Sequence, residues 1–348
     1  MDKNPESNES QESEVSRRKF LKNTAQGTAA LTLGAQLIAQ TTSAQETGIP
    51  TRPLGKTGEN VSILCLGGWH IRAVQDDKEA IKIMHAAIDE GVTFFDSAWD
   101  YHDGASEEII GKGLAQGNKR DDVFLMTKVC DRDYEGAKKC LEDSLRRFKT
   151  DHLDLWQFHE MVYDNDPDWV FDKGGIRAAL EAQKEGKVKH IGFTGHKDPR
   201  IQMKMFNKPY DWATVQMPVN VMDAHFRSFK HDVVPHCLES GAGIIGMKSL
   251  GGGVIPRNTH LTPADCIRYA LSQPVSSLVV GILSMKELLE NVEVARNFKP
   301  MSEDELLAME ASVKDVAEDG RYELFKTTQL MDGPYHVKQH GLPPVGSA

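Results

Sequence analysis

The sequence predicts an α/β protein folded as a single (β/α)8 TIM barrel. Short apolar runs rich in Val, Ile, Leu and Phe alternate eight times with longer segments of helical periodicity, and this order is typical of strands paired in parallel. The pattern occupies residues 62–296, and such barrels take roughly 200 to 250 residues as one domain. Since a doubly wound sheet usually has fewer strands, the barrel is the better fit.

Residues 1–44 are predicted to be a twin-arginine (Tat) export signal. Arg17 and Arg18, with a Phe two positions on, precede an uncharged, weakly apolar stretch at 23–40, and small residues lead to a cleavage point after Ala44. The stretch is too short and too polar for a membrane span. This interpretation predicts a bacterial protein that meets the Tat translocase and resides in the periplasm or cell envelope. A chance basic cluster is the alternative.

The eight predicted strands are short and end in polar or small residues. They are Ser62–Leu66, Thr93–Asp96, Phe124–Lys128, Leu153–His159, His190–Thr194, Thr214–Met217, Gly243–Lys248 and Leu278–Val280.

Eight helical segments follow these strands. They are Lys78–Glu90, Ser106–Ala115, Gly136–Phe148, Gly174–Glu185, Pro199–Met205, His231–Ser240, Ala264–Ser272 and Lys286–Arg296. The barrel domain therefore spans residues 51–300. Residues 301–348 hold one further helix, Ser302–Val316, and a tail in which no element is predicted from Tyr322 onward.

The segment Gly241–Gly246 matches the GxGxxG pattern of dinucleotide-binding folds. That pattern must follow a strand and open a helix, whereas here a helical pattern precedes it and an apolar run begins inside it. The glycines therefore indicate a helix C-cap and a turn into a strand.

Composition narrows the class of partner. Hydrophobic residues make up 40% and charged residues 26%, the usual balance of a globular chain. A net charge of −10 disfavours nucleic acid and anionic membrane surfaces, so a small molecule is the expected partner. Five cysteines show no CxxC or zinc-ligand spacing, which predicts buried thiols, no disulfide framework and no metal site.

Four polar residues close consecutive units of the predicted barrel. Asp96, Lys128 and His159 end the second, third and fourth strands, and Tyr101 follows in the second loop. Active sites of such barrels lie at the C-terminal ends of the strands. We expect the ammonium group to lower the pKa of the phenol, the carboxylate to hold the lysine, and the imidazole to orient a substrate oxygen. This equipment suits carbonyl reduction by hydride transfer. Taken singly, each residue also fits a structural role.

From about Arg52 to Ala295 the sequence resembles the aldo-keto reductase family. The similar motifs are Arg52-Pro53-Leu54-Gly55-Lys56-Thr57-Gly58 with Val61-Ser62 and Leu66-Gly67-Gly68, Phe95-Asp96-Ser97-Ala98 with Tyr101, Ser106-Glu107 with Gly111 and Leu114, Thr127-Lys128, Asp154-Leu155 with His159, Ile191-Gly192-Phe193, Gln216 with Asn220, Leu250-Gly251-Gly252-Gly253, and Gly281 with Glu290-Asn291. Two residues are inserted after Tyr101.

The resemblance implies an NADP- or NAD-dependent oxidoreductase in which Tyr101 is the general acid, Lys128 and Asp96 are its tuning pair and His159 orients the substrate. It also implies a set of cofactor-binding residues. These are Thr194, His196, Gln216, Met247, Lys248, Leu250, Gly281, Ser284, Lys286, Glu287, Glu290 and Asn291.

The chain departs from the family pattern at the nucleotide site. Where the family commonly has Ser-Asn, this chain has Thr194-Gly195, followed by His196 as a possible substitute for the lost amide. Met247 stands where the family usually has an aromatic side chain that stacks on the nicotinamide. Glu287 stands where the family usually has an Arg that binds the 2′-phosphate, and this carboxylate predicts a weakened preference for NADP. Alternatively, Glu287 only stabilises the helix dipole.

Aromatic and imidazole side chains after the first two strands are expected to line a pocket for a carbonyl or sugar-like substrate. They are Trp69, His70, Trp99 and His102. A rival hypothesis is an exported barrel that binds a nucleotide or ligand without catalysis, because free NAD(P)H is scarce outside the cytoplasm. A third is a cofactor loaded before export that stays bound.

Overall fold

Eight parallel strands close into a barrel in the order in which they occur along the chain. The computed structural model describes residues 32–41 and 48–327. The barrel strands, numbered after a short hairpin of strands β1 and β2, are β3 (Leu64–Gly67), β4 (Phe94–Asp96), β5 (Phe124–Val129), β6 (Leu153–Phe158), β7 (Val188–Thr194), β8 (Thr214–Pro218), β9 (Gly243–Met247) and β10 (Ser277–Val280). β10 pairs with both β9 and β3, which completes the ring. The predicted (β/α)8 fold is confirmed.

The hairpin of β1 (Thr51–Pro53) and β2 (Asn60–Ser62) plugs the N-terminal end of the barrel. Leu54 and Val61 pack against buried side chains at the inner faces of the barrel strands. At Gly55, φ is +54° and a Cβ would lie 2.3 Å from the amide nitrogen of Gly243, so only glycine fits this approach. One predicted strand, Ser62–Leu66, is therefore wrong: the run contains the end of β2, a bend and the start of β3.

The helices surround the barrel and pack on the outer faces of the strands. In the described residues they are α1 (residues 32–39), α2 (Gly68–Ala73), α3 (Asp77–Asp89), α4 (Ala105–Ala115), α5 (Tyr134–Phe148), α6 (Asp166–Asp172), α7 (Gly175–Lys184), α8 (Pro199–Phe206), α9 (Phe229–Asp232), α10 (Val234–Ser240), α11 (Val254–Asn258), α12 (Pro263–Leu271), α13 (Met285–Arg296) and α14 (Glu303–Ala317). The main apolar core lies between the helices and the strands.

Side-chain caps fix where several helices begin. Asp133 accepts a hydrogen bond from the amide of Gly136 at the start of α5 (2.8 Å), and Ser302 and Glu305 form a reciprocal capping box at the start of α14. Each such cap contributes about 1 kcal/mol to helix stability. Because these caps stand next to apolar periodicity in the sequence, the positions of these helices were predictable.

The predicted helix His231–Ser240 is two helices, α9 and α10. The backbone changes direction at Val233 (φ −116°), and Pro235 in the first turn of α10 has no N–H to continue the ladder of α9. The short helices α2, α6 and α11 were not predicted because their few turns show no clear period. The GxGxxG interpretation is confirmed: Gly241 caps the end of α10 at φ +75°, and β9 begins at Gly243.

A buried arginine joins the N-terminal segment to the barrel. Arg52 donates to the carbonyl oxygens of Leu271 (2.9 Å) and Val275 (2.7 Å) and to the hydroxyl of Thr41 (2.8 Å). Burial lowers its pKa to about 10. The twin arginines and the cleavage point of the predicted signal lie outside the described residues. Within residues 32–41 and 48–327, no helix has the length and apolar character needed to cross a bilayer.

Candidate active site

The four side chains predicted at the strand ends meet at one place. Lys128 forms a buried ion pair with Asp96 and donates to the carbonyl oxygen of Ser97 (2.6 Å). The ammonium nitrogen lies 3.4 Å from the phenolic oxygen of Tyr101. The ring of His159 packs edge-on against the ring of Tyr101, with centroids 5.6 Å apart. The structure therefore brings a phenol, an ammonium group, a carboxylate and an imidazole together, as the strand register predicts.

The pKa of Tyr101 is shifted in the direction opposite to the lowering expected from a nearby lysine. The pKa of Tyr101 is raised well above its usual value, first because the phenol is surrounded by protein and then because the carboxylates of Asp96, Asp100 and Glu160 oppose a phenolate. The charge of Lys128 is already balanced by its ion pair with Asp96. The phenol of Tyr101 is therefore protonated at neutral pH and can donate a hydrogen bond.

His159 lies in a cluster of buried ionisable groups. Its Nδ1 is 3.0 Å from Oδ1 of Asp100 and 3.5 Å from Sγ of Cys130, and its Nε2 is 3.8 Å from Glu160. The thiol of Cys130 donates to the same Oδ1 (3.2 Å). Burial opposes charge on Asp100, but the neighbouring imidazole outweighs it and holds the pKa of this carboxyl below its usual value. The orientation of His159 is thus fixed by a carboxylate.

Arg132 holds the two loops that carry this cluster. Its buried guanidinium donates to the carbonyl oxygens of Cys130 (2.9 Å), His159 (2.6 Å) and Glu160 (3.1 Å), and it pairs with Asp166 on α6 (3.3 Å). These bonds satisfy backbone carbonyls beyond the ends of β5 and β6 that would otherwise be buried without donors. The loops after β5 and β6 are therefore rigidly connected.

Trp69 and His102 cover Tyr101 on its open side. The Trp69 ring meets the Tyr101 ring edge-on at 5.3 Å and lies 4.4 Å from the ring of His102. His102 also contacts the carbonyl oxygen of Trp69 (2.8 Å), and the Trp69 side chain is 44% exposed. The residues inserted after Tyr101, His102 and Asp103, adopt positive φ, which turns the chain back toward α2.

The side chain of Trp99 does not lie with those of Trp69, Tyr101 and His102. Its indole N–H donates to Asp143 on α5 (3.3 Å), and its ring lies beside Lys139 and Arg147 of the same helix. The expectation that Trp99 lines the substrate pocket is corrected accordingly, because its side chain packs between barrel and helix.

On the opposite side, the ends of β7, β8 and β9 carry the residues predicted to hold a nicotinamide. The amide of Gln216 donates to Asp96 (3.2 Å), while its buried Oε1 has no hydrogen-bond partner among the described residues. The hydroxyl of Thr194 accepts from the amide of Glu160 (2.9 Å). Met247 is buried, and Lys248, at φ +58°, leaves its side chain exposed at the end of β9.

The side chain of Gln202 lies beside Gly195, where the family pattern commonly has an Asn. A Cβ on Gly195 would lie 1.9 Å from Oε1 of Gln202, so an Asn at position 195 would require the Gln202 side chain to move. Gln202 donates to the carbonyl oxygen of Gln216 (3.1 Å), and its Oε1 has no hydrogen-bond partner within the described part of the chain. Gln202 therefore provides a second buried amide acceptor in this region. Sequence reasoning missed it because α8 lies in a different part of the sequence.

His196, the predicted substitute for that amide, has a buried Nδ1 with no hydrogen-bond partner among the described residues. It is buried against Phe325 (ring centroids 6.3 Å apart), and its Nδ1 is 3.9 Å from Glu160. Burial and the nearby Lys248 lower the pKa of His196 to about 3, so the imidazole is neutral.

Side chains in the loop after β10 and in the first turn of α13 accept hydrogen bonds from backbone amides at the start of α13. The hydroxyl of Ser284 accepts from the amide of Glu287 (3.2 Å), and the carboxylate of Glu287 accepts from the amide of Leu283 (2.7 Å). Glu287 thus occupies one of the N–H groups that a phosphate would use. A Cβ on Gly281 would lie 2.6 Å from the His70 ring, which places His70 at this loop and not beside Tyr101.

The remaining residues of the predicted nucleotide site lie at the rim. Lys286 and Glu290 are exposed on α13, with the ammonium nitrogen 3.7 Å from a carboxylate oxygen. Asn291, the next residue, is half-buried. Leu250 is half-buried and precedes three glycines that all have positive φ, a backbone path that side chains disfavour.

The C-terminal segment forms a wall of the site. A 3₁₀ turn at Leu324–Lys326 lies where no element was predicted. The ammonium group of Lys326 is fully buried, pairs with Asp223 (2.6 Å) and donates to the carbonyl oxygen of Phe226 (2.8 Å). This anchor holds Phe325 against Val162. Residues 328–348 of the predicted tail lie outside the described residues.

Several residues of the site were missed by sequence reasoning. Asp100 directly precedes Tyr101, and Glu160 directly follows His159. Cys130 follows Lys128 by two positions. Their place just beyond the strand ends was the available signal. What the sequence did not show is that the three side chains turn toward the same imidazole.

Comparison with known proteins agrees with this geometry. Residues 63–265 match the model of the aldo/keto reductase family. The chain is 33% identical over 226 residues to YrpG of Bacillus subtilis (strain 168), an uncharacterized oxidoreductase, covering 58% of this chain and 67% of that one. It is 26% identical over 308 residues to L-galactose dehydrogenase of Arabidopsis thaliana, covering 74% of this chain and 92% of that one. The fold matches aldo-keto reductase AKR11C1 of Bacillus halodurans (holo form) with a TM-score of 0.65 at 22% identity, covering 80% and 100%.

The barrel with chemistry at its strand ends, together with these similarities, defines an oxidoreductase. The chain belongs to the aldo/keto reductase family.

Proposed function

We propose that this protein reduces a carbonyl group of a small molecule, or oxidises the corresponding alcohol, with NADP or NAD and with Tyr101 as the general acid. One observation supports this most directly: the phenolic oxygen of Tyr101 lies 3.4 Å from the ammonium nitrogen of Lys128, beside the ring of His159 and under Trp69. A protonated phenol at the open end of the barrel suits proton donation to a carbonyl oxygen.

The residues at the ends of β7, β8 and β9 fit a nicotinamide. The buried Oε1 atoms of Gln216 and Gln202 are acceptors that the described protein leaves unsatisfied, and a carboxamide N–H₂ would satisfy them. Lys248 offers a cation to a phosphate, and the capped start of α13 offers the remaining N–H groups. When bound, the nicotinamide supplies the hydride that the protein's own side chains cannot.

The side chains of the site divide the remaining work. Nε2 of His159 is suited to hold the carbonyl oxygen when it carries a proton to donate, and the contact of Nδ1 with Asp100 fixes the orientation of the ring. Tyr101 donates its proton to that oxygen as negative charge develops, and Lys128 stabilises the phenolate that results. Asp96 keeps the lysine in place. Trp69 covers the phenol and restricts water.

The nucleotide preference follows from Glu287. Its carboxylate repels a 2′-phosphate and can accept from a ribose hydroxyl, so NAD is accepted as well as or better than NADP. The bond from Leu283 N–H to Glu287 also supports the purely structural alternative.

The proposed setting is the periplasm or cell envelope, reached through the Tat translocase with cofactor loaded before export. The twin arginines at positions 17 and 18 support this proposal. Transport of a folded protein would carry a bound nucleotide with it.

The test is nucleotide occupancy and hydride transfer in the same sample. The full chain is isolated from the cell envelope and its bound nucleotide identified by absorbance and fluorescence. It is then given 4-deuterated NADH or NADPH with a panel of aldehydes and sugars, and deuterium in the alcohol product is the expected result. If nucleotide binds but no substrate acquires deuterium, the rival hypothesis of a non-catalytic binding barrel replaces this one.

A further inference from the structure

Three potential metal ligands converge beside the proposed general acid. Oδ1 of Asp100, Sγ of Cys130 and Nδ1 of His159 lie 3.0, 3.2 and 3.5 Å from one another, and all three side chains are buried. They come from the loops after three successive strands, β4, β5 and β6. We propose that these residues form a binding site for a soft or borderline divalent cation, with Zn²⁺ as the best match.

The spacing suits a tetrahedral ion. With bonds of roughly 2.0 to 2.3 Å to nitrogen, oxygen and sulfur, the ligand atoms of a tetrahedral zinc site stand about 3.3 to 3.6 Å apart. The separation of 3.5 Å lies inside this range, and those of 3.0 and 3.2 Å fall short of it by a few tenths of an ångström, so the side chains need only a small adjustment. Hydrogen bonds join these atoms in the structure.

The donor set selects the metal. A thiolate, an imidazole and one carboxylate oxygen suit Zn²⁺ and Co²⁺, whereas Mg²⁺ and Ca²⁺ prefer all-oxygen sites. Three protein ligands leave the fourth position for water or a small anion, as in zinc sites that remain open.

The surrounding charge favours a cation. Lys128 is paired with Asp96, and Arg132 with Asp166, so neither ammonium nor guanidinium is left to balance the cluster. Glu160, 3.8 Å from Nε2 of His159, adds a further carboxylate. Lys248, at the end of β9, is a further cation that interacts with Glu160, and its side chain is exposed.

Hydrogen bonds from Arg132 fix the backbone of two of the three ligand residues. Arg132 bonds to the carbonyl oxygens of Cys130 and His159, so two of the three loops are tied to one guanidinium. A site held in this way loses little conformational entropy when it binds an ion.

Binding releases protons as the metal enters. The Sγ–H bond of Cys130 breaks, its proton goes to solvent and an Sγ–metal bond forms. The Nδ1–H bond of His159, which points to Oδ1 of Asp100, also breaks; its proton goes to solvent or to a bare Nε2, and Nδ1 and Oδ1 then each bond to the metal. No oxidation state changes. The metal site does not rest on the proposed carbonyl chemistry, although both use the imidazole of His159.

The experiment uses the chain after treatment with a chelator. Co²⁺ is titrated in and the thiolate-to-cobalt charge-transfer absorption is recorded, followed by displacement with Zn²⁺. We expect one Co²⁺ per chain, a charge-transfer band, loss of the band with one equivalent of Zn²⁺, and no competition by excess Mg²⁺. Absence of the band in the wild-type chain would overturn the proposal.

Matched variants assign the ligands. Cys130→Ser should abolish the band and weaken Zn²⁺ binding at least tenfold, whereas Cys140→Ser, at a buried cysteine on α5, should retain both. Asp100→Asn should weaken binding while keeping the band. A band that survives in Cys130→Ser contradicts the assignment. X-ray absorption of the cobalt-loaded wild type, which needs no variant, should show one sulfur among nitrogen and oxygen ligands, and a sulfur-free shell would also overturn it.

Occupancy has a separate consequence for turnover. If the proposed function holds, one equivalent of Zn²⁺ should lower carbonyl reduction at least tenfold, and chelator should restore it. Zinc binding without inhibition would leave the metal site standing and refute only this regulatory effect.

Discussion

The phenolic oxygen of Tyr101 and the ammonium nitrogen of Lys128 are 3.4 Å apart, and yet the pKa of the phenol lies well above its usual value. Lys128 is neutralised by Asp96, and burial together with neighbouring carboxylates opposes a phenolate. The protein therefore holds a protonated phenol beside a cation whose charge is balanced by a carboxylate.

Replacing the general acid should remove turnover and spare binding. Tyr101→Phe deletes the hydroxyl and keeps the ring that packs on Trp69 and His159. We expect kcat to fall about 10²-fold or more on any aldehyde that the wild type reduces, with nucleotide affinity unchanged. Steady-state kinetics and fluorescence titration of the nucleotide measure the two effects. Wild-type turnover in this variant would refute the assignment of Tyr101.

Reversing the charge at position 287 should change nucleotide choice. Glu287→Arg removes the repulsion of a 2′-phosphate and also frees the Leu283 amide. We expect affinity for NADP to rise at least tenfold, about 1.4 kcal/mol, relative to NAD. Glu287→Gln is the control, because its amide oxygen can still accept from Leu283 without charge. A wild type that already prefers NADP more than tenfold, together with no gain in the Arg variant, would contradict this role.

An acid-sensitive ion-pair network lies at the N-terminal end of the barrel. Asp154 is buried, accepts from the amide of Leu125 (2.9 Å), and pairs with Arg120 (2.9 Å) and Lys189 (2.6 Å). Burial alone would raise its pKa, but these bonds and charges outweigh it and the pKa lies below its usual value of 3.8. A lowered carboxyl pKa adds stability above the unfolded value, and this stability is lost as pH falls through the folded value.

Asp154→Asn should therefore destabilise the protein near neutral pH more than in acid. We expect the free energy of unfolding to fall by about 1 to 3 kcal/mol at pH 7, and the difference from wild type to shrink as the pH falls below 3.8 and through the lowered pKa of Asp154. Denaturant unfolding at both pH values measures this. Asp211→Asn, at an exposed partner of Lys56, serves as the control and should change stability by about 0.5 kcal/mol or less. An equal loss at both pH values would contradict the electrostatic explanation.

The export proposal has its own test. Replacing both Arg17 and Arg18 with Lys keeps the charge but removes the guanidinium pair that the export receptor reads. We expect the variant to stay in the cytoplasm, while the wild type fractionates with the periplasm or envelope. Cell fractionation with antibody detection measures this. Unchanged distribution of the variant would refute the twin-arginine interpretation.

Much of the fold and part of the site were predictable from the sequence. Alternation of apolar runs and helical periods defines the barrel, and in a barrel every strand ends at the same rim. The meeting of Asp96, Tyr101, Lys128 and His159 follows from that one rule, because each lies at or just beyond a strand end. Short helices such as α6 were not predictable, because fewer than three turns show too little periodicity.

Only the tertiary structure decided the electrostatics and the fine geometry. The pKa of Tyr101 depends on burial and on the carboxylates that face it. Cys130 fits no metal-ligand spacing in the sequence, yet its thiol reaches Asp100. Gln202 fills the space beside Gly195. Sequence order fixes which strand end carries a residue, whereas side-chain direction and dielectric surroundings arise only when distant segments pack together.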